Sequence, residues 1–178
     1  ARFRSTGFAP ELWDAVSGTA RSLSYRIEGG ETVVQLRLES DDSAFVVFRQ
    51  PTDALSATVA TPAVSAAASI TTPWTVSFQE GRRGPASFTT ATLARWDQAD
   101  DPALRYFSGV ATYANSFAAP AGWNAGEPLW LDLGEVYDVA EVWVNGSRAG
   151  GLWRAPWRID VGALAHGGAN SIEIKVAN

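Results

Sequence analysis

The chain has 178 residues, of which 46% are hydrophobic and 19% charged, which is enough to bury a core and too apolar for wholesale disorder. Its 14 basic and 19 acidic residues give a net charge of -5, and such an acidic chain lacks the basic footprint that nucleic acid requires. With no cysteine and a single histidine, disulfides, thiolate metal sites, thiol nucleophiles and multi-histidine metal centres are excluded.

The dominant period along the chain is two, the mark of half-buried strands. SLSYRIE and TVVQLRLES are the first such runs, and the second sets Thr32, Val34, Leu36 and Leu38 opposite Gln35, Arg37 and Glu39. Gly29-Gly30 between them suits a two-residue hairpin loop. AFVVFR, Ala44 to Arg49, is apolar on both faces and reads as an interior strand. No charge then occurs between Asp53 and Glu80, and ALSATVATPAVSAAASITTP reads as an interdomain connection. The boundary falls near 51–70, which separates a small β-rich segment, 1–60, from a larger domain, 61–178.

TVSF, ASFTTATL and GVATYANSF continue the strands, and Asp97 to Leu104 holds one helical turn. LWLDLGE sets Leu129, Leu131 and Leu133 against Trp130 and Asp132. AEVWVNG does the same with Ala140, Val142 and Val144, and its Asn145-Gly146 is a strong hairpin signal. Gly150-Gly151 and Gly167-Gly168 read as further reversals, and Val161 to Ala165 as another helical turn. WRIDV follows the first of these reversals, and SIEIKVA closes the chain with Ile172, Ile174 and Val176 on one face. The class is therefore all-β. No apolar run reaches 18 residues, the length that would suggest a membrane-spanning helix, so no membrane partner is expected. The N-terminus lacks the apolar stretch of a signal peptide. Without methionine, and ending directly after an alternating run, the chain is expected to be a piece of a longer protein.

Catalytic chemistry finds little support in these residues. His166 sits in the Gly-rich turn ALAHGGAN, without the G-x-S-x-G context of a hydrolase nucleophile, and reads as an exposed turn residue. Asp132, Glu141, Asp160 and Glu173 occupy strand positions where a glycosidase carboxylate pair could stand. Each is equally the outward polar member of an alternating strand, or a turn former for Asp160. The Asp97-Gln98-Ala99-Asp100-Asp101 loop could hold Ca²⁺ through several oxygens, although a solvated acidic loop explains it as well. No catalytic residue, resident metal or cofactor is assigned.

Eight tryptophans are a heavy load, and their flat faces suit sugar rings as well as sandwich cores. The densest group is GLWRAPWRID, where Trp153, Arg154, Trp157 and Arg158 flank Pro156. These four, with Trp143 and Asn145, form the candidate surface for carbohydrate or for a neighbouring domain. One of the two loop tryptophans is expected to point inward, and the period makes that Trp157, leaving Trp153 for the surface.

GVATYANSF, LDLGEVYDVAEVWVNGSRAGGLWRAPWRIDV and NSIEIKVAN together resemble the galactose-binding-like jelly roll known as the sugar-binding domain of glycoside hydrolase family 2. PELWDAVSG, LRLES-DDSAFVVFRQ, PWTVSFQEGRRGP and LRYFSGVATY resemble the C-terminal region of glycoside hydrolase family 106, the α-L-rhamnosidases. The resemblance implies an antiparallel β-sandwich of jelly-roll type with a smaller N-terminal β segment. It also implies a catalytic (β/α)₈ barrel, with its acidic pair and calcium ion, lying in the parent enzyme outside this chain. The implied role is a non-catalytic accessory module. Its partner would be a rhamnose-containing glycan or, for a purely structural brace, the parent catalytic domain. An autonomous glycosidase is the third alternative. The implied parent is bacterial, periplasmic or secreted.

Overall fold

The computed structural model describes residues 1–15, 18–38, 42–60 and 63–178. The chain folds as two compact units, Ala1–Ser65 and Ala66–Asn178. Fifteen short strands account for nearly all regular structure among the described residues, and every pairing between them is antiparallel.

The first unit contains β1 (Arg2–Phe3), β2 (Phe8–Trp13), β3 (Ala20–Ser22), β4 (Tyr25–Glu28), β5 (Glu31–Val34), β6 (Phe45–Pro51) and β7 (Ser56–Ala57). They form one sheet in the order β1-β5-β4-β7 and another in the order β3-β2-β6. Leu23, Tyr25 and Val34 make its small core, with Phe3, Leu12, Ile27 and Val46 packed around them. Gly29 and Gly30 both take positive φ, 59° and 80°, and close the β4–β5 hairpin as the sequence suggested.

The expected interior strand AFVVFR is an edge. It pairs only with β2 among the described residues, and Phe45 is 61% exposed. Its second apolar face reflects local side-chain contacts, such as Phe48 against Phe3, rather than a central place in a sheet. TVVQLRLES is a strand only as far as Val34, and Leu38 is exposed.

The second unit contains β8 (Trp74–Phe78), β9 (Phe88–Thr90), β10 (Val110–Ala118), β11 (Trp130–Asp132), β12 (Val139–Val144), β13 (Ser147–Leu152), β14 (Arg158–Asp160) and β15 (Ala169–Ala177). A 3-10 turn at Trp96–Gln98 and one α-turn, α1 (Pro102–Arg105), lie between β9 and β10. The Asp101 carboxylate caps α1 by accepting from the Ala103 N–H at 2.8 Å.

Six strands form one sheet in the order β13-β12-β15-β10-β8-β9, and β11 pairs with β14 as a second layer. The register places Ala140, Val142 and Val144 opposite Val176, Ile174 and Ile172, so alternation delivers one continuous apolar face. Leu129, Leu131 and Leu133 and, from β14, Ile159 pack onto that face. All the core residues read from the terminal strand and from AEVWVNG lie in this cluster or against it.

Two glycines mark where the layers meet. A Cβ at Gly150 would stand 2.9 Å from Ile159 Cδ1, and one at Gly162 only 2.0 Å from the Glu127 carbonyl oxygen. Gly150-Gly151 is therefore not a reversal. Both residues lie inside β13, paired with Val142 and Glu141; a Cβ at Gly150 would crowd the end of the Ile159 side chain, while one at Gly151 would make only ordinary contacts. The true hairpin turn is Asn145-Gly146, with φ of 50° and 76°.

Candidate functional site

The outward face of the β11–β14 pair carries Trp130, Asp132, Arg158 and Asp160, because their neighbours Leu131 and Ile159 point to the core. Arg158 Nε donates to Asp132 Oδ2 at 2.8 Å. The Gly134 backbone N–H foremost, helped by Arg158, holds the Asp132 carboxyl below the usual aspartate range against the opposing effect of burial. Asp160 Oδ1 accepts from the backbone N–H groups of Leu129 (3.0 Å) and Gly162 (2.9 Å), which ties the strand to the turn that follows it. Trp130 is 52% exposed beside this polar row.

The segment from Trp153 to Trp157 leads into the same face. Trp153 is 57% exposed, Arg154 is half-buried, and its Nη1 donates to the Ala155 carbonyl at 3.3 Å. Trp157 is half-buried, and its carbonyl accepts from Leu133 N–H at 2.8 Å, which extends the β11–β14 ladder. The period of two then gives Trp157 the inward parity of Ile159, while Trp153 lies beyond the paired residues and is exposed. The loop thus gets its definition from ladder continuation on the Trp157 side rather than from a glycine turn.

Trp143 and Asn145 stand elsewhere. Trp143 is on the opposite face of the six-stranded sheet from the core, within a row of Glu141, Arg148, Glu173 and Lys175. Lys175 Nζ lies 5.0 Å from its ring centroid, so a cation already covers part of that aromatic surface. Asn145 is a structural corner. Its amide donates to Leu164 O (2.9 Å) and Asn170 Oδ1 (2.8 Å), and its carbonyl Oδ1 accepts from Ser171 N–H (3.0 Å). Asn170 is buried and donates to the carbonyls of His166 and Gly168, so the pair stitches two turns together.

The carboxylates considered for glycoside hydrolysis have structural duties. Asp132 is paired with Arg158, Glu141 with Arg148, and Glu173 with Lys175, while Asp160 serves backbone donors. His166 is exposed at its turn. In the acidic loop Asp97 is bound by Arg95 and Asp101 caps α1. Among the described residues no group of three or more His, Asp or Glu side chains gathers as metal ligands would.

The sequence reading passed over one concavity. A cavity of about 630 Å³ lies between Val76, Phe88 and Tyr113 on the sheet and the segment from Thr90 to Leu104. Trp96 lines it and stacks on Tyr113, with ring centroids 5.7 Å apart and planes 23° from parallel. The one available signal was an aromatic residue in a polar, helix-turn segment facing a strand tyrosine, and the spacing of these residues in sequence hides their contact.

Comparison with known proteins gives a consistent picture. The chain is similar to a region of a rhamnosidase. With the rhamnosidase from Novosphingobium sp. PP1Y it shares 45% identity over 99% of its length, at a TM-score of 0.91, and spans 17% of that chain. It is 39% identical over 87 residues to the Formosa agariphila protein named "Putative beta-glucuronidase", covering 48% of this chain and 8% of the relative. The Ruminococcus gnavus β-glucuronidase bound to uronic isofagomine shares its fold over 62% of this chain and 21% of its own, at 22% identity and a TM-score of 0.52. No protein-family model matches. This antiparallel β-sandwich therefore has counterparts inside glycosidases, and the chain spans under a quarter of the length of each of these relatives.

Proposed function

We propose that the chain is a non-catalytic accessory β-sandwich of an α-L-rhamnosidase-like glycoside hydrolase. The observation that carries this reading is the full-length match, at a TM-score of 0.91, to a rhamnosidase of which it spans only 17%. The side chains support it as well. The four strand carboxylates are bound to neighbours or to backbone donors, and His166 stands alone at a turn. Glycoside hydrolysis needs two converging carboxyl groups free to exchange protons with the substrate.

The test is direct. The purified chain should not turn over aryl α-L-rhamnosides, while the parent enzyme should. Turnover by the chain that survives repurification and is lost in Asp132→Asn or Glu141→Gln would overturn the reading.

A brace for the parent catalytic domain is the second reading, and Trp130 and Trp153 favour it. Both are more than half exposed, Trp130 on the strand that carries Asp132 and Trp153 in the segment that leads to Arg158, and exposed tryptophan with arginine is the composition of an interface anchor. If this patch is a docking surface, Trp153→Ala in the parent enzyme should lower its thermal midpoint while leaving the melting of the isolated chain unchanged.

A further inference from the structure

One row of side chains crosses the whole six-stranded sheet on its inner face. It runs Phe88, Val76, Tyr113, Ile174, Val142, Gly150, each residue the registered partner of the next. At the Gly150 end the second layer closes the row, with Ile159 Cδ1 only 2.9 Å from where a Cβ on Gly150 would stand. At the Phe88 end the cover is not a strand but the segment from Thr90 to Leu104. That cover leaves the cavity of about 630 Å³, a volume in the ordinary range for small-molecule sites.

The walls have two characters. Val76, Phe88, Leu93, Leu104 and the Trp96–Tyr113 stack are apolar and flat. The Tyr113 hydroxyl, the Gln98 amide and the Asp100 carboxylate are polar, and none has a side-chain hydrogen-bond partner among the described residues. Burial pushes the Tyr113 phenol up to about 12, so it stays protonated and able to donate. Arg95, also on the wall, is neutralised by Asp97 at 2.7 Å and lies over the Tyr137 ring.

We propose that this cavity binds a neutral pyranose and that a deoxyhexose such as a rhamnoside suits it best. Trp96 is held by Tyr113, Phe78 and Phe107, and this fixed aromatic wall with Phe88, Leu93 and Leu104 gives the apolar surface that a sugar's C–H groups pack against. The Tyr113 hydroxyl, Gln98 and Asp100 supply both donors and acceptors for ring hydroxyls. A methyl group in place of a hydroxymethyl matches the aliphatic lining, and a uronic acid would bring its charge towards Asp100. The choice of sugar rests on the accessory-module reading above. The cavity itself does not.

Methyl α-L-rhamnoside, methyl α-D-glucopyranoside and methyl β-D-glucuronide should be titrated into the 178-residue chain, followed by calorimetry and by amide NMR shifts. The expected result is saturable millimolar binding of the rhamnoside, with shifts around Tyr113 and Gln98. Tyr113→Phe, which keeps the ring stack, and Gln98→Ala, at an exposed site, should each weaken it about fivefold, the worth of one neutral hydrogen bond. Trp153→Ala should leave it unchanged. Retained amide dispersion checks that each variant is folded. Binding insensitive to both cavity variants and lost in Trp153→Ala would overturn the proposal while leaving the accessory reading intact. A preference for the glucuronide would overturn the sugar assignment, and absence of saturation by all three would overturn the site. Neither result bears on the rhamnosidase-activity test, so the two ideas fail separately.

Discussion

Gly162→Ala should be among the most damaging single-methyl changes in the second unit. Gly162 is buried where the turn after β14 crosses the segment entering β11. An added Cβ would stand 2.0 Å from the Glu127 carbonyl oxygen and 3.0 Å from both the Glu127 carbonyl carbon and the Leu129 nitrogen. Every one of these atoms is backbone, so no rotamer change relieves the clash. The two segments must part by more than about 1 Å to reach ordinary contact.

Two hydrogen bonds span that crossing, Val161 N–H to Leu129 O (2.8 Å) and Leu129 N–H to Asp160 Oδ1 (3.0 Å), and the same Asp160 oxygen accepts from Gly162 N–H (2.9 Å) within the turn. Losing the two that span it, at roughly 1 kcal/mol each, on top of about 1–3 kcal/mol of overpacking strain, gives a destabilisation of about 3–5 kcal/mol. Gly167→Ala is the matched control. Nothing lies within 4 Å of its added Cβ, and that change should cost less than about 0.5 kcal/mol. Urea melts of the two variants, with the slope checked for constancy, provide the comparison. A loss below about 1 kcal/mol for Gly162→Ala would show that the layers are not held at this separation.

Ile174→Ala, at the centre of the inner row, should cost about 2–5 kcal/mol by the same assay, and a loss under about 0.5 kcal/mol would invert the face assignment. Asn170→Ala should cost about 2–4 kcal/mol, since it strips partners from Asn145 and from the 166–168 turn, and unchanged amide exchange in that turn would refute the role. The carboxyl pKa values of Asp132, Glu141 and Asp97 are all lowered, first by the Gly134 N–H, by Arg148 and by Arg95 respectively. A lowered folded pKa contributes stability above the unfolded value, near 4, that is lost as the pH falls through the folded one. Urea midpoints should therefore drop between neutral pH and about pH 3, and a flat profile would contradict these pairings.

The sequence determined what depends on neighbours along the chain. The alternation of LWLDLGE, AEVWVNG and SIEIKVA fixes which face of each strand is apolar, and Leu131, Val142 and Ile174 are buried or packed accordingly. Asn145-Gly146 and Gly29-Gly30 turn where they do because only residues tolerant of positive φ can. Trp157 shares the parity of Ile159 and continues its strand, while Trp153 has that same parity but lies beyond the β11–β14 ladder, so its exposure follows from where the pairing ends.

What alternation cannot carry is the partner across the fold. AFVVFR has two apolar faces, yet it is an edge, because lateral pairing is set by where β2 and β3 lie and not by the strand's own composition. Gly150-Gly151 has the composition of a turn, but it is strand, and at Gly150 a Cβ would crowd an Ile159 that is near only in the folded unit. The cavity lies furthest beyond the sequence. Trp96 and Tyr113 meet because a helical-turn segment, rather than the second layer, covers one end of the inner row, and a void is a property of what fails to reach it.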